Sequence, residues 1–327
     1  MAHILVTGGA GYVGSACCAE LLSSGHSVVV VDDLSTGHEE AIPSAAEFRQ
    51  LDIGDRRGMA SLLAEKNIDS VFHFAGKAVV PESVSNPGRY FDVNVASSIA
   101  MLETLRSAGV RHFVFSSSAA VYGNPVETPI FEDHPKVPVN PYGETKLILE
   151  QTLRWYVSAY NWSAFCFRYF NACGATPERG ELHQPETHII PLLLETALGR
   201  RKEFQIYGDD YPTPDGTCLR DYVHVLDIAA AHLLALKITE PGLHAYNIGT
   251  GTAYSVRHLT ELVKGVVGHQ LPIRVAARRE GDPGILCASP EKLIGELGWN
   301  PKHSDLRHII ETAWEWAQQV ERRRASV

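Results

Sequence analysis

The first half of the chain alternates between short apolar runs and longer segments in which apolar residues recur with a helical period. Strict alternation of strand and helix is typical of a parallel sheet that is covered by helices on both faces. The pattern predicts strands at residues 4–7, 27–31, 48–53, 70–74, 112–115 and 164–168, and helices from 14 to 25 and at 55–66, 88–108 and 141–160. This order predicts an α/β fold with a doubly wound parallel sheet.

The pattern changes after Tyr169, where strict alternation ends and polar, Pro- and Gly-containing segments appear. Two of these segments are predicted loops, at 171–187 and 208–220. Helices are predicted at 189–199, 225–237, 255–267 and 305–320, and strands at 204–207 and 245–248. We therefore predict a first domain over 1–170, to which the segment 222–248 returns, and a smaller, closely joined α/β substrate-binding domain over 171–327.

The first predicted strand runs into a turn with glycines at 8, 9, 11 and 14, and the next strand ends in Asp32 and Asp33. Strand, glycine-rich turn, helix, strand and acidic residue is the order of a Rossmann-type dinucleotide site. The glycines let backbone N–H groups approach a pyrophosphate at the helix N-terminus. Asp32 can hold the adenosine ribose, and no arginine stands beside it for a 2′-phosphate, so the pattern predicts NAD over NADP.

Tyr142 and Lys146 lie four residues apart at the start of a predicted helix, with Asn140 as its predicted N-cap and Pro141 as its first residue. Residues at this spacing share one helix face, so both side chains can enter one pocket. A nearby ammonium is expected to lower the phenol pKa and to make Tyr142 a proton acceptor. A surface pair with no chemical role has the same spacing, so the rest of the chain decides between them.

Composition and charge exclude several other classes of protein. The formal net charge of −9 argues against nucleic acid as a partner, and the chain shows neither a secretory signal nor an apolar stretch of about 18 residues. The six cysteines and fifteen histidines show no zinc-binding spacing. We therefore expect a cytoplasmic protein with buried thiols, no membrane contact and no metal site.

With these residues in view, the chain resembles the extended short-chain dehydrogenase/reductase family, and within it the UDP-glucose 4-epimerases. The matching segments span nearly the whole chain, and the later ones are the more specific. They are residues 7–14, 32–34, 73–76, 115–123, 141–146, 168–171, 208–217, 220–225 and 278–282. The resemblance implies tightly bound NAD, a UDP-sugar substrate (UDP-galactose or UDP-glucose) and a homodimer packed through the helices at 88–108 and 141–160. The apolar residues of these helices could equally pack against the second domain.

The resemblance also implies roles for individual residues. Tyr142 removes the proton of the sugar 4-hydroxyl, Ser118 relays it, and Lys146 binds the nicotinamide ribose and favours the phenolate. The implied cofactor-binding residues are Gly8, Gly11, Tyr12, Val13, Gly14, Asp32, Asp33, Leu34, Ser35, Thr36, Gly37, Asp52, Ile53, Phe74, Ala75, Gly76, Lys77, Asn94, Ser116, Tyr142, Lys146 and Phe170. The implied substrate-binding residues are Ser118, Tyr142, Asn171, His188, Ile189, Gln205, Tyr207, Arg220, Arg279, Asp282 and Leu286.

Two positions depart from the family pattern. Many members carry a lysine one position after Lys77, which leaves the contact of Lys77 open. Some members close the sugar pocket with a tyrosine where this chain has Leu286. The smaller side chain leads to the hypothesis that the acetylated sugar UDP-N-acetylglucosamine is also a substrate.

Three alternatives share the scaffold. A sugar-nucleotide dehydratase needs an acid/base pair directly after the catalytic serine, and Ala119 and Ala120 cannot transfer protons. A 4-epimerase of a UDP-pentose or UDP-glucuronate would use the same Ser118, Tyr142 and Lys146. A non-catalytic nucleotide-sensing protein would have no use for this intact set.

Overall fold

A computed structural model describes residues 1–279 and 282–325. The matching segment 278–282 therefore includes two residues, 280 and 281, that lie outside the described residues. The strands are β1 (His3–Thr7), β2 (Ser27–Asp32), β3 (Glu47–Gln50), β4 (Ser70–His73), β5 (His112–Ser118), β6 (Ser163–Tyr169), β7 (Asn171–Cys173), β8 (Phe204–Tyr207), β9 (Leu219–His224), β10 (Gly242–Ile248), β11 (Ala253–Ser255), β12 (Ile273–Ala276) and β13 (Ile285–Leu286). The helices are α1 (Tyr12–Ser23), α2 (Arg56–Glu65), α3 (Val80–Ser85), α4 (Pro87–Tyr90), α5 (Ser98–Ser107), α6 (Pro141–Tyr160), α7 (Ile189–Ala197), α8 (Val225–Ala235), α9 (Val256–Val267), α10 (Glu291–Leu297) and α11 (Leu306–Ala325).

Within the described residues, seven parallel strands form the main sheet in the order β10-β6-β5-β4-β1-β2-β3. The central strands contain continuous apolar runs because helices cover both faces of the sheet; β2, for example, has a run of four valines. The strand order reverses between β1 and β4, and ligands of such sheets bind at the carboxyl ends beside that reversal. The predicted doubly wound fold is confirmed.

The smaller sheets form the opposite wall of the site. Strands β7, β11 and β13 pair with β9, and β8 pairs with β12. Apolar residues of α7, α9 and α11 pack together in the core of this region. The segment 222–248 divides between the two regions, because β9 belongs to a small sheet whereas β10 pairs with β6. The boundaries of the two domains remain a prediction.

Several local predictions differ from the structure. The strand predicted at 48–53 is β3, which already ends at Gln50. The predicted loop at 171–187 begins with β7, and the predicted loop at 208–220 runs into β9 at Leu219. These short strands form through pairing with distant residues, which local periodicity does not show. The predicted continuous helix at 88–108 is α4, a π-helical segment at Phe91–Ser97 and then α5. π-Helical turns are rare and concentrate at functional sites, and this one contains Asn94.

No helix of the described residues is long and apolar enough to cross a membrane. All six cysteines are free thiols, and five of them are buried. Burial raises the pKa of the thiols of Cys17, Cys166 and Cys173 well above the usual value, so these groups stay protonated and pack as small apolar side chains.

Candidate active site

The glycine-rich turn connects β1 to α1 at the reversal of the strand order. Gly8 has a φ of 74°, and a side chain there would bring a Cβ within 2.4 Å of the Ala75 backbone nitrogen. Glycine is therefore required both by the left-handed backbone and by the close approach of the turn to the end of β4. Gly11 is the N-cap of α1 and offers no side-chain cap, so the first N–H groups of the helix face the site.

Asp32 lies at the end of β2 and is buried. Its carboxylate accepts hydrogen bonds from the backbone N–H of Ala10 at 3.0 Å and of Leu34 at 2.9 Å. Burial raises the pKa of Asp32, and these two hydrogen bonds oppose the shift without cancelling it. Leu34 itself has a φ of 59°, an uncommon backbone conformation for a side chain of this kind, and this geometry aims its N–H at Asp32.

Lys146 is buried beside the end of β5. Its Nζ donates a hydrogen bond to the Ser116 carbonyl at 2.7 Å and lies 5.7 Å from the centre of the Tyr142 ring. Burial lowers the pKa of Lys146 to about 8, and the negative charge of Glu150 opposes that shift. The ammonium is thus held inside the site by a carbonyl and two rings, the second being Phe115 at 4.9 Å.

Tyr142 lies in the first turn of α6. The predicted start of this helix is found, because Asn140 accepts a hydrogen bond from the Gly143 N–H at 2.8 Å and Pro141 is the first residue. The prediction that the pKa of the Tyr142 phenol is lowered is wrong for the protein without a bound cofactor. Burial raises the pKa of Tyr142, and the nearby Ser118 hydroxyl lowers it by less. The reason is that desolvation disfavours the phenolate more than the neighbouring polar groups favour it.

Arginine and aromatic side chains face this centre from the smaller sheets and from the segment that follows β12. Arg220 on β9 forms an ion pair with Asp282. The guanidinium of Arg279 stacks 3.9 Å from the centre of the Tyr207 ring. One face of Tyr207 is thus covered, and a base that stacks on this residue must use the other face.

One cavity of about 1450 Å³ connects these groups. It exceeds the roughly 300–1,000 Å³ typical of a site for one drug-sized ligand, so it has room for two ligands side by side. Every residue predicted above to bind cofactor or substrate lines this cavity, except Leu34 and Asn94. The cavity walls also include residues that the sequence did not indicate, among them Glu181, Glu186 and Trp316.

Leu34 and Asn94, the two exceptions, form hydrogen bonds to residues that line the cavity. The Leu34 N–H holds Asp32, as described above. The Asn94 side chain accepts from the Lys77 N–H at 2.7 Å and donates to the Lys77 carbonyl and to Thr145 Oγ1. Lys77 lines the cavity, and its Nζ donates to Ser35 Oγ at 3.4 Å. The departure from the family pattern at Lys77 thus leaves an ammonium on the cofactor side of the cavity.

A histidine and glutamate cluster forms part of the loop between β7 and α7. His183 Nδ1 lies 2.5 Å from Glu181 Oε1, and His188 Nδ1 lies 2.8 Å from Glu186 Oε1. One ligand atom from each of Glu181, His183 and His188 lies within 4.8 Å of the others, a grouping that linear spacing did not indicate. Both imidazole Nδ1 atoms have carboxylate partners, so the geometry is that of two neighbouring His–Glu pairs.

These pairs predict a pH dependence of the loop. Hydrogen bonding and charge from Glu181 raise the pKa of His183; burial opposes the shift at His188, but its carboxylate partners raise the pKa there as well. Groups with raised folded-state pKa values stabilise below the unfolded value of about 6.5, and this stabilisation is lost as pH rises through the folded values. The protection factors of the 181–188 amides, which correct for the base-catalysed intrinsic rate of hydrogen exchange, should therefore be larger at pH 6 than at pH 8.

Replacing His183 with glutamine should reduce this difference between pH 6 and pH 8. The exposed His269, replaced in the same way, serves as the control and should leave it unchanged. Equal pH dependence in the wild type and in His183→Gln would contradict the prediction.

The fold and the site together define a Rossmann-type nucleotide-binding protein with a serine, a tyrosine and a lysine at the centre of its cavity. The chain belongs to the NAD dependent epimerase/dehydratase family, whose model matches residues 4–249. The UDP-glucose 4-epimerase of Lacticaseibacillus casei is 47% identical over 317 residues, which cover 96% of this chain and 96% of that protein.

Two solved structures of relatives have the same fold. UDP-glucose-4-epimerase from Stenotrophomonas maltophila, solved with bound NAD and formylated UDP-arabinopyranose, is 40% identical with a TM-score of 0.95, and the match covers 99% of this chain and 100% of that one. UDP-glucose 4-epimerase from Bifidobacterium longum, in complex with NAD+ and UDP, is 37% identical with a TM-score of 0.92, covering 97% and 98%. Both matches span nearly the whole of each chain.

Proposed function

We propose that this protein is a UDP-glucose 4-epimerase, which interconverts UDP-galactose and UDP-glucose by transient oxidation at C4. One observation carries the proposal. A single cavity joins the glycine-rich turn, the Ser118/Tyr142/Lys146 centre and the arginines of the smaller sheets. A dinucleotide bound at the glycine-rich turn and a sugar nucleotide bound at the arginines would bring a nicotinamide and a hexose together at the Ser118/Tyr142/Lys146 centre.

NAD fits the cofactor end of the cavity. The N-terminus of α1 offers free N–H groups for the pyrophosphate, and Asp32 and Asp33 line the wall where the adenosine ribose would lie. When bound, NAD+ would accept the hydride from C4 and return it to the other face of the sugar. The net redox change is zero because the hydride is returned to the sugar, so NAD+ would be regenerated in every turnover.

Tyr142, Ser118 and Lys146 would carry out the proton transfer. Tyr142 would take the proton from the sugar 4-hydroxyl, and Ser118, which lines the same cavity, would relay it. Burial raises the pKa of Tyr142, so the phenolate needs positive charge close by. Lys146 supplies part of that charge, and it would also bind the ribose next to the nicotinamide.

The substrate end would hold the UDP group. Arg220 and Arg279 line the cavity and match the charge of a diphosphate, since guanidinium groups bind phosphate oxygens bidentately. The free face of Tyr207 offers a stacking surface for the uracil. Asn171 and Asp282 line the same wall.

Incubation of the purified protein with UDP-galactose and no added cofactor tests the proposal. We expect UDP-glucose to form, because the cofactor that the protein retains is regenerated in each cycle. Accumulation of NADH or of a 4-keto-6-deoxy sugar would refute the epimerase and favour a dehydrogenase or a dehydratase. The second outcome would be unexpected, because Ala119 and Ala120 follow Ser118 and cannot act as an acid or a base.

A 4-epimerase of a UDP-pentose or UDP-glucuronate is the alternative. The Stenotrophomonas maltophila relative was solved with formylated UDP-arabinopyranose, so a pentose fits a related cavity. Comparison of kcat/KM for UDP-galactose with the values for UDP-xylose and UDP-glucuronate decides between them. A higher value for either alternative sugar would replace the proposed substrate.

We also propose that the acetylated sugar UDP-N-acetylglucosamine is accepted. Leu286 lines the cavity on the two-residue strand β13, where a tyrosine ring would occupy more of the space. We expect turnover of this sugar, and a reduction of it in Leu286→Tyr with the rate for UDP-glucose preserved. Good turnover of UDP-glucose with none of the acetylated sugar in the wild type would contradict this proposal.

A cytoplasmic homodimer is the expected state of the protein. Six free thiols suit a reducing compartment. On α6, Trp155 and Tyr160 are exposed, whereas Tyr156 is buried and donates a hydrogen bond to Glu103 within the main domain. Sedimentation of the wild type and of Trp155→Glu tests the dimer, and a monomeric wild type would contradict it.

A further inference from the structure

Tyr142, Lys146 and Glu150 are spaced by four residues along α6 and lie on one face of the helix. That face meets residues 116–118, the three serines that end β5. Lys146 Nζ donates a hydrogen bond to the backbone carbonyl of the first serine, and the third serine lies close enough to Tyr142 to lower the pKa of its phenol. The roles proposed so far leave out the middle serine and Glu150.

Those two residues contact each other. Ser117 Oγ donates a hydrogen bond to Glu150 Oε1 at 2.6 Å. Arg168 on the neighbouring strand β6 binds the same carboxylate bidentately. Its Nε donates to Oε1 at 2.9 Å, and its Nη2 donates to Oε2 at 2.7 Å. All three side chains are buried. Glu150 thus ties α6 to two strands of the sheet directly behind the site.

The Arg168 guanidinium also has hydrogen-bond partners on the side away from Glu150. Arg168 Nη1 donates to Tyr122 Oη at 2.8 Å and to the Glu132 carbonyl at 2.9 Å. A buried ion pair of this kind is not required for stability, because well-packed apolar residues of similar volume commonly serve as well. Its presence one helical turn after Lys146 therefore points to a role for the charge.

We propose that Glu150 is a positioning residue of the reaction, which fixes the serine strand against α6 and keeps a negative charge one helical turn from Lys146, on the same face of the helix. The proposal rests on the proposed function. It adds a third residue to the face that carries Tyr142 and Lys146, and it assigns Ser117 as the link between strand and helix.

The groups around Lys146 support this role. Ser116 offers a carbonyl from β5, and Tyr142 is a neutral phenol on α6. On β4, burial and the charge of Lys146 lower the pKa of His73 to about 3, so this imidazole is neutral. Glu150 contributes the negative charge that opposes the effect of burial on Lys146.

Glu150→Gln tests the proposal because it keeps the shape and removes the charge. The titration of Lys146 is followed by pulse labelling with an amine-reactive reagent at a series of pH values, with the modified residue identified by mass spectrometry. We expect the midpoint to fall by roughly one pH unit. At pH 8 the charged fraction would then fall from about half to about a tenth, and kcat by about fivefold, with KM little changed.

Glu144→Gln, on the same helix and outside the ion pair, serves as the control and should change neither quantity. Ser117→Ala keeps the ion pair and removes the link to the strand, so we expect a lower kcat with an unshifted Lys146 midpoint. If Glu150→Gln alone does not fold, the double variant Glu150→Gln/Arg168→Met, which leaves no unpaired guanidinium, is used for the same titration.

An unshifted Lys146 midpoint in the Glu150 variants overturns the proposal, whatever happens to kcat, because a purely structural residue would lower activity without moving the titration. The labelling does not depend on turnover. A protein that shows the shift but converts no UDP-sugar would therefore contradict the proposed function and leave the placement of the charge intact.

Discussion

Replacing Tyr142 with phenylalanine is expected to lower kcat for 4-epimerisation by about 10²–10⁴-fold, the range that one positioned acid or base contributes. The variant keeps the ring and removes only the hydroxyl that is proposed to accept the proton. Because the wall proposed to bind UDP is formed by other elements, the Kd for UDP should change little. Steady-state kinetics and calorimetric titration with UDP measure the two quantities.

The matched control is Tyr160→Phe, which removes the same hydroxyl from the last residue of the same helix, at a partly exposed position outside the cavity. Its kcat should equal that of the wild type. Near-full activity of Tyr142→Phe would remove the base from the proposed mechanism, and Ser118 would then have to be tested in that role. Equal losses in both variants would indicate that damage to α6 is the cause.

Replacing Gly8 with alanine is expected to destabilise the protein by about 2–5 kcal/mol and to release the cofactor. A left-handed backbone costs a residue with a Cβ about 1–2 kcal/mol, and overpacking adds about 1–3 kcal/mol. Here the added Cβ would meet the backbone of Phe74 and Ala75 within 2.6 Å, and neither can rotate away. Both residues line the cavity, so the displacement enters the cofactor site.

Gly25→Ala separates these two causes. Gly25 has a φ of 82°, and no atom lies within 4 Å of the position that its Cβ would take. It should therefore lose about 1–2 kcal/mol from backbone strain and keep its cofactor. Chemical denaturation gives the free energies of unfolding, and the absorbance of the protein after gel filtration reports the retained cofactor. Equal losses at both positions would contradict the collision at Gly8.

The sequence predicted the central sheet well because its strands are buried on both faces. A run such as the four valines of β2 has few alternatives to a buried strand, and Asn140-Pro141 marks the start of α6 through local hydrogen bonding. Short strands such as β7 and β13 were missed because they are formed by pairing with β9, whose partners are distant in the sequence.

The electrostatics of the site were also predicted only in part from the sequence. Spacing placed Tyr142 and Lys146 on one face, but spacing contains no information about desolvation. Burial raises the pKa of Tyr142 and lowers that of Lys146, which reverses the expected effect on the phenol. The His–Glu pairs around His183 were also invisible, because a loop without periodicity brings them together.

The sequence by itself determined the glycine-rich turn and the shared face of Tyr142 and Lys146, since each depends on residues that are neighbours along the chain or within one helix. It also determined the parallel sheet, because apolar strands that alternate with helices favour that arrangement. Only the tertiary structure decided that these residues and the arginines of the smaller sheets line one cavity. It also decided that Glu150 meets Arg168 and Ser117 behind Lys146. These contacts join separate strands and helices, and their energies depend on burial, which exists only when the whole chain has folded.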